Sequence, residues 1–108
     1  MILKQNEIVH IILRRILESD LRRHFLGVVK DILPTAIRVE GYYYIFDNVK
    51  NTYIKKLEKR TKIFALNDNL IIINVLPNYL VFEDLEYSLK NNAFYIEDNL
   101  GFSLEITE

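Results

Sequence analysis

The alternation of apolar and polar residues predicts one helix followed by a series of short strands. Between residues 6 and 23, apolar residues recur three and four positions apart, in the rows Ile8–Ile12–Ile16 and Leu13–Leu17–Leu21. This spacing places them on one face of a helix, and Asn6 is placed to cap its N-terminus. We therefore expect an amphipathic N-terminal helix over residues 6–23, lying on the end of a barrel or on a neighbouring subunit.

After His24 the chain reads as short strands separated by turn residues. Turns are expected at residues 33–35 and 67–69, and strands at Phe25–Ile32, Ile37–Phe46, Thr52–Leu57, Ile63–Leu66 and Leu70–Leu76. The fifth run, LIIINVL, is continuously apolar, which predicts a strand covered on both faces. One helix and five short strands predict a mostly β protein, built as a small, strongly bent five-stranded barrel.

The last 31 residues differ from the rest of the chain in charge. Residues 1–77 carry thirteen lysines and arginines against eight acids, whereas residues 78–108 carry one lysine against seven acids. A basic body indicates a polyanionic partner, although the acidic segment is also explained as ordinary solvated surface. Its many aromatic and aliphatic residues, with a hairpin turn at Asn99–Gly101, predict a folded β extension. We expect this extension to pack on the barrel or on a neighbour and to shield part of the basic surface.

Several functional classes lack the residues they require. The chain has no cysteine, so thiolate metal sites and disulfides are absent. Its two histidines, His10 and His24, have no acidic cluster beside them, and we expect them to be ordinary helix residues. No nucleophile–base pair or phosphate-binding glycine loop can be assembled, so we expect neither an enzyme nor a cofactor or small-molecule substrate. The apolar segment 8–17 is interrupted by charges and too short to span a membrane, which favours an intracellular protein.

The segment VEGYYYIFDNVKNTYI, residues 39–54, combines an interior strand glycine with an acid and an amide at fixed offsets. Its spacing resembles the first signature motif of the Sm and Sm-like family, with anchors at Gly41, Tyr43, Phe46, Asp47, Asn51 and Ile54. The family's second motif falls on residues 65–70, where Asn69 and Leu70 agree, while Leu66 and Asn67 replace an arginine and a glycine. The resemblance covers about residues 6–77.

The resemblance implies a ring, because Sm-like subunits join through strand four of one copy and strand five of the next. Partners would be further copies of the chain or other Sm-fold subunits. The expected interface residues are Ile63, Phe64, Leu66, Leu70, Ile71, Ile72, Ile73 and Val75. The alternative is that these segments are inner strands of a monomeric barrel.

The resemblance also implies RNA binding, although only one of the family's three base-contacting positions is kept. Asn51 is retained, whereas Val49 occupies the stacking position and Leu66 the arginine position. The candidate RNA contacts are Asp47, Lys50, Asn51, Asn67, Asp68, Lys55, Lys56, Lys59 and Arg60. Alternatively, Asp47 and Asn51 only shape a turn, and the basic stretch 55–62 is a solvated loop. Two functions follow: a ring protein of RNA metabolism or snRNP assembly, or a scaffold resembling the Sm-fold Gemin subunits, without a working base pocket.

Overall fold

The computed structural model describes residues 2–68 and 70–106, and its regular structure is almost entirely β-strand. These described residues contain nine strands: β1 (Ile8–Leu13), β2 (Arg23–Leu33), β3 (Ala36–Asp47), β4 (Thr52–Lys55), β5 (Arg60–Ala65), β6 (Ile71–Leu76), β7 (Glu86–Lys90), β8 (Ala93–Glu97) and β9 (Ser103–Ile106). Within the described residues, the one helical element is a short 3-10 turn, Phe82–Asp84.

The strands form two antiparallel sheets, one of six strands and one of three. In the larger sheet the order is β4-β3-β2-β1-β6, and β5 pairs with β3 on the same edge as β4. This sharing is possible because β3 is twelve residues long, so residues 44–47 pair with β4 and residues 36–41 pair with β5. The smaller sheet has the order β7-β8-β9 and contains the predicted hairpin between β8 and β9.

Alternating side chains of the larger sheet enter two different cores. The first, the curled-sheet core, contains Val9 and Ile11 of β1, Phe25 of β2 and Phe64 of β5, with Ile73 of β6 packed against it. Because β5 and β6 lie at opposite edges and still contact one core, the sheet curls around it. The second, the inter-sheet core, lies between the two sheets and includes Ile8, Leu26, Tyr44, Leu85 and Ile96.

The glycine of the segment 39–54 allows a close approach between two strands. Gly41 of β3 lies directly opposite Gly27 of β2. A Cβ atom at Gly41 would collide with the backbone of Leu26 and Gly27, and one at Gly27 would collide with the carbonyl of Glu40. The interior glycine is therefore required by backbone contact inside the sheet.

The predicted helix over residues 6–23 is wrong. Residues 8–12 of β1 are all buried, since one face of this strand lies on each core. A strand covered on both faces gives a continuous apolar run, and in such a run helical spacing occurs without a helix. Asn6 has a left-handed φ of 71° rather than the extended conformation of a cap. The rest of the predicted helix is a loop that leads into β2. His10 lies in β1 and His24 in β2, so both are buried strand residues instead of helix residues.

The five-stranded barrel is also wrong, because β1 adds a strand between β2 and β6. The final strand of this sheet then lies at an open edge, paired only with β1 among the described residues. The run at residues 70–76 was expected to be covered on both faces. At this open edge it is not, since Val75 remains 49% exposed. The basic stretch 55–62 is likewise only partly a loop, since Arg60–Lys62 belong to β5.

Two leucines of the C-terminal region test how much the smaller sheet contributes to stability. Leu85 is 2% exposed in the inter-sheet core, whereas Leu100 in the β8–β9 turn is 88% exposed. We expect Leu85→Ala to lower the free energy of unfolding by about 2–5 kcal/mol, and Leu100→Ala to change it by less than about 0.5 kcal/mol. Urea unfolding of both variants measures the difference; equal effects would show that the two sheets do not share a core.

Candidate nucleic-acid interface

The turn between β3 and β4 is shaped by Asp47 and Asn51, the acid and the amide of the segment that resembles the Sm-like motif. Asp47 Oδ1 accepts hydrogen bonds from the backbone N–H groups of Val49 at 2.8 Å and Lys50 at 3.2 Å. Asn51 adopts a left-handed φ of 53°, a conformation that asparagine tolerates better than most residues. Both residues therefore shape the turn, as the structural alternative predicts. The second-motif turn is built in the same way, since Asp68 Oδ1 accepts from Leu70 N at 2.8 Å; Asn67 beside it is exposed, and Asn69 lies outside the described residues.

Three cations of the predicted phosphate-binding stretch already contact groups of the protein. Lys55 Nζ lies 4.1 Å from the centre of the Tyr42 ring. Lys59 Nζ is 5.8 Å from the Phe82 ring and 3.4 Å from Glu40, and this hydrogen-bonded carboxylate raises the pKa of the lysine, with the carboxylate of Glu83 adding to the effect. Arg60 pairs with Glu58 at 3.1 Å. One acid of the C-terminal segment, Glu83, therefore acts electrostatically on the basic stretch.

One face of the same stretch forms a cleft of about 540 Å³, which we call the hairpin cleft. The ring of Tyr43 lines it, and Lys62 Nζ lies 5.7 Å from the centre of that ring. Cations outnumber acids around it: its lining residues are Arg23, Tyr43, Ile45, Lys56, Leu57, Glu58, Arg60 and Lys62. An aromatic ring surrounded by cations is the combination that single-stranded nucleic acids require for base and phosphate contacts.

A larger cleft of about 730 Å³, the arginine cleft, opens where the two sheets end beside the β1–β2 loop. Arg14, Arg15, Arg22 and Arg23 line it, together with the acids Glu18 and Glu105. Its remaining polar and aromatic walls come from β2, β4 and the start of β8, through His24, Tyr53, Asn92 and Phe94. Arg23 lines both clefts, so the two basic surfaces meet at this residue.

The inner wall of the arginine cleft is fixed by a buried network of polar side chains. Tyr87 Oη lies 2.8 Å from His24 Nδ1 and 3.0 Å from His10 Nε2, while Asn74 Nδ2 lies 3.2 Å from His10 Nδ1. These three contacts have consistent donors and acceptors if Asn74 donates to His10 Nδ1, His10 Nε2 donates to Tyr87, and Tyr87 donates to His24 Nδ1. This arrangement requires both histidines to be neutral. Burial, followed by the neighbouring His24, lowers the pKa of His10 to about 3.

Aromatic rings enclose Tyr53, which is only 6% exposed. Tyr53 stacks on His24 with ring centres 4.6 Å apart, and the rings of Phe46 and Phe94 lie steeply inclined to it, with ring centres 5.2 Å away in each case. Burial raises the pKa of Tyr53, while the charge and hydrogen bond of Arg22 oppose that rise. Burial also raises the pKa of Tyr44 to about 12. These phenols are neutral at physiological pH and offer hydrogen bonds rather than charge.

The predicted interface residues divide between the curled-sheet core and the surface. Phe64 is buried, and Leu66, Ile71 and Ile73 pack against the same core. Ile63 is 67% exposed, and Leu70, Val75 and the half-buried Ile72 are also accessible. Because β5 pairs with β3 and β6 with β1, each of these strands has one edge without a partner strand in the described part of the chain. The structure thus brings the two segments to opposite edges of one sheet.

The arginine cleft was not predicted from the sequence, although a signal was present. Two Arg-Arg doublets at positions 14–15 and 22–23 flank a six-residue stretch, and a helix would have spread their side chains along its length. In the structure the intervening residues form a loop that brings the arginines to one cleft.

Comparisons with family models, curated proteins and solved structures find no match. In the part of the chain that the structure describes, no helix has the length and apolarity to cross a membrane, and no three potential ligands cluster as a metal site.

The burial of His10 makes the free energy of unfolding depend on pH. Because the pKa of His10 is about 3 when folded and about 6.5 when unfolded, the unfolded chain binds the additional proton between these values, so stability falls as the pH drops below 6.5. We expect the free energy of unfolding to decrease by about 2 kcal/mol between pH 7 and pH 5 from this residue alone. Urea unfolding at both pH values measures it. A His10→Gln variant should lose most of this decrease, and an unchanged decrease would place the titration elsewhere.

Proposed function

We propose that this protein binds single-stranded RNA inside the cell and acts in RNA metabolism or ribonucleoprotein assembly. The observation that carries the proposal is the hairpin cleft, which Arg23, Lys56, Arg60 and Lys62 line together with the ring of Tyr43. Cations that follow a strand supply most of the affinity by neutralising phosphates. An aromatic ring adds stacking with any base, which gives affinity with little sequence preference.

Membership of the Sm-like family belongs to this proposal. The six anchor positions of the first motif support it, and Asp47 and Asn51 hold the turn that the motif forms. The chain departs from the pattern of the Sm-like family in the additional strand β1 and in the base-contacting positions. Val49 is 95% exposed at the tip of the turn and has no aromatic ring to stack on a base. Binding in this protein is therefore assigned to cations and to Tyr43 rather than to a conserved base pocket of the family.

Removing two cations of the hairpin cleft tests the proposal. The double variant Lys56→Gln/Arg60→Gln should bind a ten-nucleotide RNA at least tenfold more weakly at 0.1 M salt, because two phosphate contacts are lost. The slope of log affinity against log salt should fall by roughly 1.4. The control, Lys4→Gln/Lys30→Gln, removes the same charge near the other end of β2 and should keep the wild-type slope.

Two results would contradict this assignment. Equal losses in the double variant and its control would show that only net charge matters. A strong preference for oligo-uridine that survives high salt would show a base-specific pocket, which phosphate contacts and a single tyrosine do not supply.

A second function, assembly with other copies or other Sm-fold chains, is supported by the open edges of β5 and β6. Each edge strand exposes backbone hydrogen-bonding groups, and each has an accessible aliphatic residue, Ile63 on β5 and Val75 on β6. Antiparallel or parallel pairing of β5 from one copy with β6 from the next would cover both edges. In this candidate the protein acts as a scaffold subunit, and RNA binding is not required.

A charge at the β6 edge tests the assembly. Val75→Lys should shift the protein from oligomer to monomer at micromolar concentration, because a lysine on an edge strand opposes pairing with another strand. Leu100→Lys, at a more exposed position in the β8–β9 turn, is the matched control and should leave the mass unchanged. Native mass spectrometry measures both, and a wild-type protein that is already monomeric would rule out this function for the isolated chain.

A further inference from the structure

We propose that the arginine cleft between the two sheets is a binding site for a phosphate group that carries at least two negative charges, as in a terminal phosphomonoester or a pyrophosphate. This site is separate from the hairpin cleft and differs from it in chemistry. Its cations are all arginines, whereas two lysines and two arginines line the hairpin cleft. Arginine presents five N–H donors in a planar fork that matches two phosphate oxygens at once.

The loop that carries the arginines is fixed by backbone hydrogen bonds at both ends. The N–H of Arg14 donates to the carbonyl of Leu70 at 2.7 Å, and the N–H of Phe46 donates to the carbonyl of Arg22 at 2.9 Å. In the middle, Asp20 closes a turn with Leu17, since its N–H donates to the Leu17 carbonyl at 3.0 Å and its carboxylate accepts from the Leu17 N–H at 3.1 Å. A loop ordered before binding loses less entropy when the ligand arrives.

Two of the arginine side chains are also oriented in advance. Arg15 Nη1 donates to the carbonyl of Glu18 at 3.0 Å. Arg22 lies with its guanidinium carbon 5.7 Å from the centre of the Phe46 ring, and it hydrogen-bonds to Tyr53. Because each guanidinium has five N–H groups, these contacts leave further donors on both side chains. The acids Glu18 and Glu105 offset part of the charge, so the four arginines leave an excess of positive charge in the cleft.

The cleft favours a phosphate group over a base. Tyr53 is enclosed by His24, Phe46 and Phe94 and is buried, so its ring offers little surface for stacking. The arginine loop brings Arg14, Arg15 and Arg22 to the cleft against one acid, Glu18, so its charged groups are mainly hydrogen-bond donors, which suits a phosphate. A doubly charged phosphate gains from several arginines at once, whereas an internal phosphodiester carries a single charge. The geometry therefore selects the end of a ligand, where the phosphate charge is highest.

Two kinds of ligand carry a phosphate group with at least two negative charges: the phosphorylated end of a nucleic-acid strand, and a free polyphosphate such as a nucleotide. The first source rests on the proposed RNA binding, because Arg23 connects the two clefts and a strand in the hairpin cleft would end in the arginine cleft. The second does not depend on RNA at all. Each source makes a different prediction for short ligands.

The test uses the whole protein and isothermal titration calorimetry with four probes: sodium pyrophosphate, and one ten-nucleotide RNA with a 5′-phosphate, with a 3′-phosphate, or with hydroxyls at both ends. We expect pyrophosphate binding to weaken at least tenfold in Arg15→Gln and in Arg22→Gln, and to stay within twofold in Lys56→Gln/Arg60→Gln. Circular dichroism checks that each variant is folded. Arg15 is exposed and makes fewer contacts than Arg22, so Arg15→Gln carries the test if Arg22→Gln does not fold.

The outcomes separate this site from the proposed RNA binding. A phosphorylated RNA that binds at least tenfold more tightly than the hydroxyl form, with the preference lost in Arg15→Gln, supports a strand end and shows which end it is. Pyrophosphate binding that depends on Arg15, without RNA binding, supports a free polyphosphate and removes the proposed function while the site stands. Pyrophosphate binding that the hairpin variant weakens as much as Arg15→Gln, or no pyrophosphate binding at all, overturns the site.

Discussion

The structure depends on covering the outer face of the six-stranded sheet with the three-stranded sheet. That face presents a pair of neutral histidines among tyrosines, and burying such groups is costly unless each finds a hydrogen-bond partner. Tyr87 supplies the central one, since its hydroxyl lies within 3.0 Å of both His10 and His24. The acidic C-terminal segment is therefore a structural part of the protein, because it provides the apolar cover and the polar partner of the same surface.

The same arrangement creates the basic clefts. Where the two sheets end, the β1–β2 loop is held between Leu70 and Phe46, and its arginines are brought to one place. The hydrogen-bonded histidines keep the Tyr53 ring in position, and Tyr53 in turn contacts Arg22. A weaker inter-sheet core would thus disturb the arginine positions before it disturbed the hairpin cleft, which lies on the other face of β3. Binding at the arginine cleft should therefore depend more on the C-terminal sheet than binding at the hairpin cleft does.

The sequence predicted strands well where one face is apolar and the other polar. The run 37–46 alternates, and the structure sends Ile37 and Val39 to one core and Tyr44 to the other. Prediction failed where both faces are buried, as in residues 8–12, because alternation disappears there and helical spacing arises by chance. The turn roles of Asp47 and Asn51 follow from local chemistry and were accessible. The two arginine doublets are visible in the sequence, but their meeting in one cleft was not accessible, because the cleft forms through the pairing of β1 with β6 and the packing of β8.

The central position of β1 has a consequence for how the chain folds. β1 precedes the other strands in the sequence, yet Ile8 pairs with Leu76 and His10 bonds to Tyr87, 77 positions away. A nascent chain can form β1 with β2 and β3 early, but one edge of β1 stays without a partner until β6 leaves the ribosome. Contacts so distant in sequence slow folding and prolong the exposure of apolar strands. Gly41 pairs with Gly27 on the neighbouring strand β2, so this close backbone contact can form before either core is complete.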